Sequence, residues 1–205
     1  MLEKLIVLVE EESAEAALFT LLPKLLPESQ FQIIRFQGKQ NMLRNLPTRL
    51  RGFASWLPEN WSILVLIDRD NDDCMKLKRR LEVMVQDARL STKSSVQAGA
   101  RFQVALRIVV EELESWFFGD WEAVRAGYPR VSATIPNKER FRIPDEISGG
   151  TWEAMEQILQ SAGYYKSGLS KIELARTVAQ HMDPARNKSY SFKIFHEAII
   201  AAAGV

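Results

Sequence analysis

The stretch Ile63-Leu64-Val65-Leu66-Ile67-Asp68-Arg69-Asp70-Asn71-Asp72-Asp73 constrains this chain more than any other. An unbroken apolar run ends abruptly in acids. A run this short and this rich in β-branched residues predicts a strand buried on both faces of a parallel sheet. Carboxylates cannot stay in such a core unpaired, because an isolated buried charge is very costly. They must sit where the strand leaves the sheet, at the edge where open α/β sheets bind ligands. Side chains alternate along an extended chain, so Asp68 and Asp70 are expected to point the same way, with Arg69 opposite. Two carboxylates on one side suit a hard divalent cation, Mg2+ or Mn2+. Capping of the following helix accounts for Asp72 or Asp73, but not for Asp68 and Asp70 together.

The same pattern recurs. Leu5-Ile6-Val7-Leu8-Val9 predicts a strand that runs into Glu10-Glu11-Glu12, with Ser13 opening a helix that ends near Pro23 or Pro27. Glu12 and Glu15 fit the positive end of that helix, whereas Glu10 falls at the end of the strand, before the helix starts. Phe31 to Phe36 predicts a third strand, followed by a turn at Gly38-Lys39 and a helix that Pro47 kinks or splits. Met75 to Leu90 reads as a helix. Phe102 to Val110 predicts a fourth strand, again running into acids at Glu111, Glu112 and Glu114. Strands alternating with helices predict an α/β fold with a mostly parallel four-stranded sheet flanked by helices. All carboxyl ends then share one edge, where Glu10, Asp68, Asp70, Glu111 and Glu114 converge. Helical spacing puts Glu111 and Glu114 on one face, which favours that pair over Glu112.

After Trp116 the pattern changes to a loop-rich span and then three helices, Thr151 to Ala162, Ser170 to Met182 and Ser189 to Ala203. With no low-complexity linker, residues 119–205 read as a helical C-terminal extension packed on a core of residues 1–118. The net charge of +1 excludes a chain that is uniformly basic, so any nucleic-acid contact must come from a local patch. A single cysteine, Cys74, excludes an internal disulfide. No stretch approaches the ~20 apolar residues of a membrane span, and Leu5 to Val9 is too short for a signal peptide; a cytoplasmic location is expected.

Val9-Glu10-Glu11-Glu12-Ser13-Ala14-Glu15 resembles the first Toprim motif, a strand ending in one glutamate, and Asp68-Arg69-Asp70 resembles the Toprim Asp-x-Asp motif. The chain more closely resembles an uncharacterised Toprim-like family often encoded beside an ABC-type ATPase, of the overcoming-lysogenisation kind, in bacterial defence clusters. Gly38-Lys39, Glu114-Ser115-Trp116, Gly163-Tyr164-Tyr165-Lys166 and Lys188-Ser189-Tyr190-Ser191-Phe192 look like its signatures. One departure is Glu11, which stands where a glycine is usual and adds charge to the site. The resemblance implies a Toprim-like fold and a Mg2+- or Mn2+-dependent nuclease acting on phosphodiesters of DNA or RNA. It implies an effector of anti-phage defence working with the ATPase as partner.

In that chemistry divalent ions neutralise the phosphodiester, lower the pKa of a bound water and steady the leaving oxygen. Asp68 and Asp70 would hold one ion, and Glu10 would share it or act as general acid/base. Glu111 and Glu114 would complete a second site. Lys39, following the second strand, and the tail lysines Lys166, Lys171 and Lys188 are candidates for phosphate contact; the resemblance gives Lys188 the role of offsetting transition-state charge. Two alternatives share the acidic edge: a non-catalytic scaffold that binds an ABC-type ATPase, and a small-molecule phosphotransfer or hydrolysis enzyme.

Overall fold

A computed structural model of the chain describes residues 2–97, 99–165 and 168–204. Four strands, β1 (Lys4–Val9), β2 (Gln30–Arg35), β3 (Trp61–Asp68) and β4 (Val104–Val109), form one sheet in the order β2-β1-β3-β4. Every pairing is parallel, with Val9 beside Arg35 and Leu66, and Asp68 beside Val109. The fold is therefore α/β with an all-parallel four-stranded sheet flanked by helices. β4 is shorter than the expected Phe102 to Val110: the Gln103 and Val104 N–H groups donate to the Ser91 carbonyl (3.1 and 2.9 Å).

Both faces of the sheet are covered, as the unbroken apolar strands require. Leu5, Val7 and Val9 of β1, with Leu64 and Leu66 of β3, face the larger core, which includes helix α1 (Glu12–Leu25). Ile6, Leu8, Ile63, Val65 and Ile67 face the smaller core beneath α2 (Lys39–Ala54) and α3 (Cys74–Asp87). From β1 the chain moves outward to β2, then returns past β1 to β3. The direction of winding reverses between β1 and β3, so the turns that leave these strands diverge and open a crevice at their carboxyl ends.

Several helix ends differ from the expected ones. α1 starts at Glu12 with Glu11 at its N-cap, two residues ahead of Ser13, whose hydroxyl donates to Glu11 Oε1 (2.5 Å) instead of capping. α1 continues through Pro23 to Leu25, and α2 runs unsplit through Pro47. Each proline removes one helical hydrogen bond, but Leu43, Leu46, Leu50 and Phe53 bury a single stripe across Pro47, which keeps α2 continuous.

Beyond β4 come α4 (Glu114–Gly119), α5 (Trp121–Gly127), three short 3-10 turns between residues 135 and 146, then α6 (Thr151–Ser161), α7 (Lys171–His181) and α8 (Tyr190–Ala203). α7 lies along α1, and α8 lies against β4. Lys24 at the end of α1 donates to the Ala179, Gln180 and Met182 carbonyls (3.1, 2.8 and 3.2 Å), which closes the C-terminus of α7. Trp116 is fully buried against Phe192 and Phe195, and its indole N–H donates to Ser191 Oγ (3.0 Å).

Ser189, also fully buried, caps α8 by accepting from the Phe192 N–H (3.2 Å), while its own hydroxyl lies 3.1 Å from Asp145 Oδ1. Ser189→Ala is expected to lower stability by about 1–2 kcal/mol, read as a fall in thermal midpoint with the fold otherwise unchanged. Among the described residues, no helix is long and apolar enough to cross a membrane.

Candidate acidic site at the sheet edge

The crevice between the ends of β1 and β3 is lined by carboxylates. Glu10 follows the last residue of β1, and Asp68 is the last residue of β3. Asp68 keeps some exposure as a residue, but its carboxyl group is enclosed. That burial drives its pKa well above the ordinary carboxylate range, and the nearby charges of Glu10, Glu114, Glu11 and Asp70 drive it further. Burial likewise raises Glu10 to about 7, with Asp70 and Glu11 adding to the rise and Lys39 and the Asp68 N–H opposing it. Glu114, the first residue of α4, is 1% exposed. Burial raises it to about 7, against the pull of Lys171.

The satisfaction of these groups is uneven. Glu10 Oε2 and Glu114 Oε1 are buried with no hydrogen-bond partner. Buried polar atoms nearly always find one, so two orphaned carboxylate oxygens around one aspartate are unusual. The acids further out are neutralised. Lys39, whose side chain is 10% exposed, donates to the Arg69 carbonyl (2.7 Å) and pairs with Asp70 Oδ2 (3.0 Å) and Asp72 Oδ2 (2.7 Å). Burial alone would lower the Lys39 pKa, but these carboxylates outweigh it and the net direction is upward. Arg69 pairs with Glu111. Lys171, the first residue of α7, lies 3.4 Å from Glu112 Oε1 and stacks over Trp152, 5.0 Å from the ring centre. Glu12 and Glu15 pair with Arg35 (3.0 and 3.3 Å).

Backbone contacts fix this arrangement. Phe36 N–H bonds the Val9 carbonyl (2.9 Å) and Gly38 N–H bonds the Glu10 carbonyl (3.0 Å), which brings the start of α2, and Lys39 with it, to the end of β1. Gly38 has φ +83°, a left-handed value that favours glycine at this helix entry. Across the edge, Arg69 N–H bonds Val109 O (2.8 Å) and Asp70 N–H bonds Glu111 O (3.0 Å), so the ladder between β3 and β4 continues past both strands.

This continuation changes the expected directions. Asp70 does not point with Asp68: the strand stops at Asp68, Asp70 is left-handed (φ +49°), and its carboxylate turns to Lys39. Glu111 is left-handed too (φ +63°) and lies outside α4, so it shares no helix face with Glu114. Its partner is Arg69. Two adjacent non-glycine residues of this kind are uncommon and mark a turn held by its surroundings.

The edge thus brings together Glu10, Asp68, Asp70, Glu114, Lys39 and Lys171, with Glu111 at its margin. Lys188 stands apart: it is exposed, and its N–H bonds the Gly119 carbonyl (2.8 Å), at the opposite end of α4 from Glu114. Lys166 lies outside the described residues. Glu11 adds its charge to the site as its sequence position implies, and Glu112, which helical spacing disfavours, joins it there. Glu11 acts on both Asp68 and Glu114. Glu112 accepts from the Trp152 N–H (2.9 Å) and the Thr151 hydroxyl (3.2 Å), and so ties the start of α6 to the edge. Nothing local signals this role, because the partners lie far along the chain.

Among the described residues no three or more His, Cys, Asp or Glu side chains are grouped to hold a metal ion. The donor chemistry nevertheless suits a hard cation: the available atoms are carboxylate oxygens, and two lack partners. Mg2+ needs no protein cage, since it keeps several waters and takes one or two carboxylates.

The fold and this edge define a class, a parallel α/β protein whose winding reverses at a cluster of buried acids. The chain belongs to the DUF4276 family, described as a domain of unknown function, whose model matches residues 9–200. No curated protein and no solved structure matches it.

Proposed function

We propose that this chain is a Mg2+- or Mn2+-dependent nuclease that cleaves phosphodiesters of nucleic acid at the edge formed by Glu10, Asp68 and Glu114. The single observation that carries the reading is the pair of buried, unpartnered oxygens, Glu10 Oε2 and Glu114 Oε1, on two residues whose charges act on an enclosed Asp68. Three carboxyl groups whose pKa burial raises favour either protonation or a cation. Asp68 with Glu10 would hold the ion, and the nearby charges of Glu114 and Glu11 would favour it. The bound ion would supply charge neutralisation and an acidified water. With no ion bound Glu10 is raised to about 7, so a cation held there would displace its proton. Lys39 and Lys171 frame the edge with positive charge, and the start of α2 adds its dipole. Lys39 would position Asp70 and keep the outer acids from repelling a phosphate.

A Toprim-like relationship, a cytoplasmic location and a role in anti-phage defence beside an ABC-type ATPase belong to the same proposal. One observation favours a non-catalytic scaffold for that ATPase instead: Asp70, Asp72, Glu111 and Glu112 are already matched by Lys39, Arg69 and Lys171. Labelled single-stranded and duplex DNA and RNA, incubated with Mn2+ or EDTA and with the ATPase present or absent, separate the two. Mn2+-dependent cleavage that EDTA stops is expected. ATPase binding with no cleavage of any substrate would leave only the scaffold.

A further inference from the structure

On the far side of α6 from the acidic edge lies a cavity of about 530 Å³ whose lining includes Arg130, Lys138 and Arg140 and no acidic residue. That volume is in the range of small-ligand pockets. Its floor is apolar: Val131 and Ile135 are buried, and Phe141 stacks flat on Phe118 (5.4 Å between ring centres, 4° between planes).

The two arginines are held where they are. Arg130 stacks over the Tyr164 ring (4.1 Å) and donates to the Gly163 carbonyl (3.0 Å). Gly163 has φ +82°, and a Cβ there would come within 3.3 Å of the Arg130 guanidinium. The Gly163-Tyr164 turn is thus the seat of this arginine. Arg140 donates to the Ser148 carbonyl (2.9 Å) and stacks over Phe141 (5.3 Å). Among the described residues, none of Arg130, Lys138 and Arg140 forms a salt bridge to a carboxylate. The cations of the acidic edge, Lys39 and Lys171, are by contrast each paired with a carboxylate. Two held arginines and the exposed Lys138, without a carboxylate in the lining and above an aliphatic floor, are complementary to an anion joined to an apolar ring.

We infer that this cavity binds a nucleotide unit, with its phosphate against Arg130, Lys138 and Arg140 and its base against Val131 and Ile135. The inference rests on the nucleic-acid reading of the acidic edge and extends it, because α6 links the two places. Its start is tied to Glu112 at the edge, and Gln157 to Ser161 on its later turns line the cavity, roughly 8–14 Å along the helix axis. A short single strand spans that distance. The same chemistry is present in a free nucleotide.

The test is equilibrium binding in EDTA, by fluorescence anisotropy of a 5′-fluorescein oligothymidylate, with adenosine monophosphate as competitor. Lys138→Glu and Arg140→Gln change exposed side chains, and melting curves confirm their folding. Each is expected to weaken binding about tenfold and to flatten the salt dependence by about one phosphate contact. Displacement by the monophosphate assigns the site to a free nucleotide; binding that it does not displace assigns it to a strand, and both uphold the site. No binding by the unaltered chain, or unaltered affinity in both variants, overturns it. A chain that binds through Lys138 and Arg140 yet never cleaves upholds this site and sinks the nuclease reading. Cleavage with unaltered affinity in both variants does the reverse.

Discussion

In EDTA the chain is expected to melt several degrees lower at pH 8 than at pH 5, and Mg2+ or Mn2+ is expected to recover most of the loss. Glu10 and Glu114 titrate near 7 in the folded chain and near 4.5 when unfolded. Between those values the folded state holds protons that the unfolded state has released. Stability therefore falls as pH rises from about 4.5 through 7, then levels off. For Glu114, which is fully enclosed, charging costs on the order of 3 kcal/mol. In a chain of this length that is about 6–12 °C of midpoint. Glu10 and Asp68 act in the same direction. Glu114→Gln should flatten the profile and raise the midpoint at pH 8. Calorimetry across this range decides the matter: a midpoint that rises toward pH 8 without metal would mean that these carboxyls are satisfied in solution.

Asp68→Asn should reduce metal-dependent cleavage about a thousandfold, since losing one ligand forfeits several kcal/mol of transition-state charge stabilisation. The same change should stabilise the metal-free protein at pH 8, because it removes one charge from a crowded set. The pairing of opposite signs matters. A substitution that merely damages the fold lowers both activity and midpoint. Single-turnover cleavage of an end-labelled oligonucleotide, alongside a thermal melt, reads both quantities. Cleavage by Asp68→Asn at the unaltered rate would remove Asp68 from the chemistry, whatever the melt shows.

Much of the sheet was legible in the sequence because fully buried parallel strands have few other ways to appear. Ile63 to Ile67 and Leu5 to Val9 are apolar on both faces, and no amphipathic helix tolerates that pattern next to a run of acids. The common edge for Glu10 and Asp68 follows from parallel pairing alone. What lay beyond reach was the course of the chain after each strand. Alternation predicts the direction of Asp70 only while the backbone stays extended, and at Asp70 it turns left-handed to bond Glu111. The face shared by Glu111 and Glu114 presumed a helix that starts three residues later than expected. Helical spacing disfavours Glu112, and its partners, Thr151, Trp152 and Lys171, come from a segment with no local relation to it. Lys188 illustrates the opposite limit. Its neighbours Ser189, Ser191 and Phe192 are buried and hold α8 to Trp116, so a signature centred on it reads more directly as packing than as chemistry.

The roof over the larger face of the sheet has a consequence for any shortened form. Leu18, Leu21 and Leu22 of α1 share one dry interior with Leu174, Val178, Phe195 and Ile199. A fragment ending near residue 118 would leave that interior open to water, so it would trade solubility for self-association before it reported anything about activity. The acids at the rim and the last helix are one cooperative unit, separated by almost the entire polypeptide yet lost together.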